Sequence, residues 1–326
     1  MRAHAANAAV QEQACRTLSN IAYGNDAQGY ALAQAAVDAG ALSQLVAAMR
    51  AHAANAAVQK RTCWALDNIT FGTDAQGYAR RQPTVDAGVL PQIVAVMRAH
   101  AANAAVQKQA CRTLGNIAYG NDAQGYARRQ PTVDAGALPQ IVAAMRAHAA
   151  NAAVQEQACR TLSNIAYGND AQGYARRQPT VDAGALPQIV AAMRAHAANA
   201  AVQEQACRTL GNIAYGNDAQ GYARRQPTVD AGLLPQIVAG MCAHAANAAA
   251  QEQACWALVN ITSGVNAQGR ARRRAAADAG ALTQIVVAMR THATNATVQE
   301  QGLWRRRAVL QDAHDRLPLL ACATGL

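Results

Sequence analysis

Seven methionines stand in register along the chain, Met1, Met49, Met97, Met145, Met193, Met241 and Met289, always 48 residues apart. A fixed period of this length is the signature of a repeat architecture, and a unit this small buries its apolar face only by stacking on its neighbours. Six complete units cover 288 residues; a seventh begins at Met289 and loses the pattern after Gln301. The unit from Met145 differs from the unit from Met97 only at Lys108/Glu156 and Gly115/Ser163. Copies this similar read as recent tandem duplications, so recurrence alone is weak evidence that a residue is functional.

Composition narrows the unit's structure. Hydrophobic residues make up 52% of the chain, yet aromatics only 4%, with one Phe. That is too apolar for a disordered chain, too long and cysteine-poor for a disulfide mini-protein, and too poor in aromatics for a β-sandwich or barrel. Ala leads the apolar residues, and Ala is the best helix former and lets helices approach closely. An all-α protein packed through small residues follows. Lys+Arg 29 against Asp+Glu 19 gives a net charge of +10, which favours acidic partners and says nothing about fold. No stretch approaches the ~18–20 apolar residues of a membrane span, and MRAHAANAAVQEQ has no signal-peptide core. The expectation is a cytoplasmic and/or nuclear protein with no membrane partner.

The unit from Met145 predicts three helices. Asn151 caps a helix running to about Tyr167, which Gly168 stops in the left-handed conformation. After a loop, 169–173, a short helix covers roughly Ala175 to Ala183, limited to a turn or two by Pro179. Gly184 breaks the chain, and Pro187 sits in the first turn of a helix ending near His196. On the first, inner helix, Ala158, Cys159, Leu162, Ile165 and Ala166 share an apolar arc. Glu156, Arg160, Asn164 and Tyr167 form a polar stripe opposite.

These residues carry a family resemblance. QEQACWALVNITSG (251–264) and VDAGALPQIV (181–190) resemble the armadillo repeat: a short helix, a Gly, a helix opening on a Leu-Pro turn, then an inner helix ending in Asn-Ile-x-x-Gly. The likeness runs to about Gln301; the unit is longer than is usual for the family, with the extra residues around AQGYARRQ. It implies an armadillo-type right-handed α-superhelix, a solenoid of about six 48-residue three-helix repeats whose inner helices line a concave groove. In the family's register, 1–24 is an incomplete first repeat, 25–264 holds five full repeats, 265–310 is a degenerate last repeat and 311–326 an irregular tail. Met1 sits where the other methionines sit inside the chain, so the sequence is expected to be a fragment or to begin at an internal Met. The end, with Arg305–Arg307, reads as a helical cap or a frame-shifted tail.

The first candidate site is an Asn ladder: Asn20, Asn68, Asn116, Asn164, Asn212 and Asn260. An amide both donates and accepts, so it can clamp an extended peptide backbone without reading its sequence. The matching Asn does this in armadillo proteins; the alternative is an Asn that bridges neighbouring helices. Four residues before each Asn stand Arg16, Trp64, Arg112, Arg160, Arg208 and Trp256. Trp64/Asn68 and Trp256/Asn260 match the Trp–Asn pair of importin-alpha-like proteins, which implies a nuclear import adapter as one alternative. Yet those Trps are four repeats apart with Arg between them, and Arg repels a basic peptide and attracts an acidic one. The Arg stripe reads equally as solvated, since Glu156–Arg160 and Glu204–Arg208 are favourable i,i+4 pairs.

A second basic row, Arg80/Arg81, Arg128/Arg129, Arg176/Arg177, Arg224/Arg225 and Arg272–Arg274, lies on the short helix. Phosphates draw such rows, but Tyr126 and Tyr174 nearby make no stacking motif, so a solvated edge is expected and nucleic acid is the less favoured alternative. Cys15, Cys63, Cys111, Cys159, Cys207 and Cys255 fall on the apolar arc as small hydrophobes. No C-x-x-C pair, P-loop, Gly-x-Ser-x-Gly or His-Glu-x-x-His occurs, and the histidines recur singly. The sequence thus points to a non-enzymatic scaffold with no cofactor, metal or small-molecule substrate. It is expected to bind an extended, acidic segment of a partner protein through the Asn, Arg and Trp residues above.

Overall fold

A computed structural model describes residues 1–72, 75–120, 123–168, 171–216 and 219–302. Arg305–Arg307, the tail expected over 311–326 and the side chain of Tyr126 lie outside the described residues. The chain forms two compact units that divide after Gln188. Unit one opens on a 3-10 turn, Arg2–His4, and α1 (Ala8–Ile21). It continues with α2 (Ala27–Asp38), α3 (Ala41–Ala51), α4 (Ala56–Thr70), α5 (Ala75–Asp86), α6 (Val89–Ala99) and α7 (Ala104–Ala118). Then come α8 (Ala123–Asp134), α9 (Ala137–Ala147), α10 (Ala152–Ala166) and α11 (Ala171–Asp182), and α12 (Ala185–Ala195) spans the division. Unit two holds α13 (Ala200–Ala214), α14 (Ala219–Asp230), α15 (Leu233–Ala243), α16 (Ala248–Ile261), α17 (Ala267–Asp278) and α18 (Ala281–Thr291). No strand occurs among the described residues, so the all-α repeat architecture read from the sequence is the one adopted. No single helix among them is long and apolar enough to cross a membrane.

Local chemistry explains the punctuation. The extended Asn151 accepts from Val154 N–H at 3.2 Å, a cap worth about 1 kcal/mol. α10 then runs to Ala166, but its stop differs from the expected one: Tyr167 is extended and Gly168 has φ 141°, outside the left-handed helical well. Gly184 is the left-handed residue, at φ 82°; its N–H donates to Val181 O at 2.9 Å. The short helix is longer than predicted. α11 begins at Ala171 and carries Pro179 in its third turn. The proline forfeits one helical hydrogen bond, while Gln178 Nε2 spans to Asp182 Oδ1 at 2.7 Å and the buried Arg176, Arg177 and Thr180 hold the helix in place.

The predicted apolar arc is core: Ala158, Cys159, Leu162, Ile165 and Ala166 are all fully buried. Within unit one, α1 packs on α4, α4 on α7 and α7 on α10; in unit two, α13 packs on α16. Polar side chains lace the copies. Gln59 Nε2 donates to Met49 O and His52 O, both at 2.8 Å, capping the carbonyl end of α3. Thr161 Oγ1 donates to Cys111 O at 2.7 Å, and His148 Nε2 lies 2.7 Å from Ala101 O.

The second basic row is not a solvated edge. Arg80/Arg81, Arg128/Arg129, Arg176/Arg177, Arg224/Arg225 and Arg272 are at most 2% exposed; Arg273 is half-buried and only Arg274 is exposed. Arg81 Nε donates to Thr70 O and Nη1 to Tyr119 O, both at 3.0 Å, and Nη2 donates to Gly72 O. The last carbonyls of an inner helix have no partner within the helix and sit at the negative end of its dipole. A guanidinium fork satisfies several at once. The Arg81 guanidinium carbon also lies 4.9 Å from the Tyr78 ring and 5.3 Å from the Tyr119 ring. Burial pulls Arg81 down to about 10. Held inside in this way, Arg128 and Arg129 are not a phosphate-facing row.

Candidate functional site

In unit one the ladder residues meet across repeats. Asn68 Nδ2 donates to Ser19 O at 2.8 Å and Ser19 Oγ at 3.1 Å. Asn164 Nδ2 donates to Gly115 O at 2.9 Å. Asn116 Nδ2 donates to Asp67 Oδ1 at 2.7 Å, while its Oδ1 accepts from Arg160 Nη2 at 3.1 Å. Each of these three amide nitrogens therefore bridges to the preceding inner helix. Asn68 Oδ1 has no partner among the described residues. Asn20 and Arg16, on α1, are exposed.

Arg112 is the residue around which a site forms. Its Nε lies 3.0 Å from Asp67 Oδ2, and its side chain is 36% exposed while that of Asp67 is fully buried. The terminal nitrogens of Arg112 have no partner among the described residues. A cavity of about 160 Å³ opens beside it, lined by Tyr23, Asn25, Asn68 and Phe71 with Arg112 itself. Tyr23, 73% exposed, stands at its edge. Of the twelve residues expected to bind a peptide, Asn68 and Arg112 are thus brought to one pocket.

The sequence reading passed over Asp67, and the signal was there. The same register holds Ser19, Gly115, Ser163, Gly211 and Val259, so one copy alone carries an acid. Burial pushes the Asp67 carboxyl up to about 6, against the pull of Arg112 and the charges of Arg160 and Lys108.

The two Trps belong to different units, each with its own companion. Trp64 is half-buried, with the Arg61 guanidinium carbon 5.3 Å from its ring centre. In unit two, Trp256 stacks on Tyr215, with ring centres 5.7 Å apart and planes 24° from parallel. It lies over Gly211, where a Cβ would stand 2.5 Å from Trp256 Nε1. Arg208 is half-buried, Asn212 and Asn260 are buried, and the Asn260 Nδ2 has no hydrogen-bond partner among the described residues. Among the described residues no group of three His, Cys, Asp or Glu side chains can hold a metal ion. Burial pushes Cys63, Cys111, Cys159 and Cys255 up to about 12, which makes them packing residues, not nucleophiles.

Helical triplets joined by left-handed glycines, with inner helices stacked copy on copy, define an armadillo-type repeat protein. The sequence profile of the LRRK2 ARM repeat family matches residues 33–231, more than half of the chain, and the chain belongs to that family. No curated protein matches it. Membership makes the chain a protein-interaction scaffold, of a class that generally binds protein partners and is typically non-catalytic.

Proposed function

We propose that the chain captures an extended, acidic segment of a partner protein along the polar side of its inner helices. The observation that carries this is the convergence of Asn68 and Arg112 on one pocket. There the partnerless Asn68 Oδ1 accepts a ligand N–H, and the partnerless terminal nitrogens of Arg112 face a ligand oxygen. Half-buried Arg160 repeats the positive charge at the same register on α10. Cytoplasm or nucleus is the proposed setting. An importin-alpha-like adapter role has the Trp64/Asn68 and Trp256/Asn260 pairs in its favour, but Arg112, Arg160 and Arg208 occupy the positions between them and oppose a basic cargo. The nucleic-acid alternative loses its main support with the burial of Arg128 and Arg129.

The test is a peptide array of acidic, basic and neutral segments probed with the full chain. Acidic segments are expected to be retained, and Arg160→Gln with Arg208→Gln to weaken retention several-fold. Retention of basic peptides alone would replace this proposal with the adapter role, and retention of none would end both.

A further inference from the structure

The cavity beside Arg112 can be read more closely, on the basis of the peptide-binding proposal above. Among the described residues Asp67 is the one buried carboxylate, and it is absent from every other copy of the repeat. Arg112 Nε lies 3.0 Å from its Oδ2 as a charge contact without hydrogen-bond alignment, and the terminal nitrogens of the guanidinium have no partner among the described residues. A guanidinium held beside a carboxylate by Nε alone keeps both Nη groups for a second partner. It meets a planar anion with two parallel N–H donors while losing little side-chain freedom. Asn116 holds the other oxygen of Asp67 at 2.7 Å, and Arg160 holds Asn116 at 3.1 Å, so three repeats fix the orientation of this one side chain. Beside the polar Asn25 and Asn68, the walls include Tyr23 and Phe71, whose rings suit the methylene stem of an acidic side chain better than a hydrated phosphate.

We propose that this pocket is an anchoring subsite for a single carboxylate of the bound segment, with Arg112 as the contact and the buried Asp67 as the counter-charge that tunes it. The charges acting on Asp67 come from Arg112 and Lys108 on α7 and from Arg160 on α10; the Cys63 thiol is its titratable neighbour on α4. Among the described residues, α1, α2, α3 and α5, also packed on α4, add none. While Asp67 is ionised, it offsets the charge that Arg112 offers a ligand. Once it is protonated, Arg112 turns its full charge on the incoming carboxylate, and the ligand in turn favours the protonated form. A carboxyl already lifted to about 6 makes that exchange between pH 7.5 and 5.5, where a ligand Glu stays ionised.

Fluorescein-labelled hexaglutamate, followed by anisotropy with the full chain, tests this. Affinity is expected to rise about tenfold from pH 7.5 to 5.5. Asp67→Asn removes the charge that offsets Arg112, and it is expected to bind at pH 7.5 as the parent does at pH 5.5, without pH dependence. The double variant Asp67→Asn/Arg112→Gln leaves no buried charge alone, and it is expected to lose about tenfold at every pH. Far-ultraviolet circular dichroism checks that both variants fold as the parent does. If hexaglutamate binds and both variants retain the parent's affinity and pH profile, the subsite is refuted while the peptide-binding proposal stands. If the parent binds neither hexaglutamate nor hexalysine at any pH, both fall.

Discussion

Replacing Arg81 with Met removes three hydrogen bonds while keeping most of the volume of the stem. Thr70 O and Gly72 O lose a charged donor in a buried place, and Tyr119 O loses one at its half-buried edge. Bonds to a charged donor contribute about 1.5–3 kcal/mol each. Against this, the variant no longer confines a cation away from water, which returns several kcal/mol. The net expected loss is about 3 kcal/mol, or about 6–12 °C in the midpoint of thermal unfolding for a unit of this size. Arg81→Lys keeps the charge but reaches fewer carbonyls, and should fall between. Repeat arrays unfold piecewise, so a global midpoint dilutes a local loss. Amide hydrogen exchange is the sharper assay: protection should drop at the end of α4 and along α5, where the clamp joins them, and stay unchanged in α1. A higher midpoint for Arg81→Met, with exchange unaltered, would refute the argument that these arginines act as carbonyl clamps.

Three further outcomes are expected. Gly211→Ala should destabilise unit two by about 1–3 kcal/mol through the collision with Trp256, although Ala is the better helix residue by about 1 kcal/mol; urea unfolding followed by Trp fluorescence gives the sign, and a stabilised variant would mean that Trp256 does not rest on that glycine. Of the cysteines in the described residues, exposed Cys242 should react with iodoacetamide within minutes while Cys15, Cys63, Cys111, Cys159, Cys207 and Cys255 stay unmodified, as peptide mapping will read. Asp67 is an acid whose folded value, about 6, lies above its unfolded 3.8, so the folded chain binds more protons between those values and stability falls as pH rises through them, by about 3 kcal/mol. Asp67→Asn should abolish that slope and be the more stable form at pH 7, and equal slopes in urea titrations of the two would contradict the assignment.

Much of the fold was legible because the strongest signals in the sequence are periodic. The 48-residue step gives the stacking, the 3.6-residue step gives the buried arc from Ala158 to Ala166, and Asn151 and Gly184 mark helix ends by side-chain and backbone chemistry that needs no partner elsewhere. What escaped depends on partners a sequence does not display. Arg80 and Arg81 read as a solvated face because rows of charge usually are. Their acceptors are backbone carbonyls, Ile69 O and Thr70 O among them, which no side-chain pattern announces. Pro179 predicted a short helix by its local cost, and the buried residues around it outweigh that cost. The pocket beside Arg112 needs Tyr23 and Phe71, a full repeat apart in sequence.

The near-identity of the copies bears on specificity. A residue copied with its unit is copied together with the interface between units. Accordingly Gln59, Thr161, His148 and the Arg81 type of clamp all hold one copy to the next or cap a helix within it. A face made of identical steps also offers a ligand the same energy at every step, so a segment bound there could slide by one repeat at no cost. Specific capture in one register requires a position at which the copies differ. Asp67, set against Ser19, Gly115 and Ser163 at the same height, is such a position, and it lies under the one arginine that opens on the pocket. Trp64 and Trp256 break the run of Arg16, Arg112, Arg160 and Arg208 in the same sense. If the chain recognises one segment in one place, the residues that deviate from the repeat must supply the difference in binding energy, and substitutions there should change where a ligand sits before they change whether it binds.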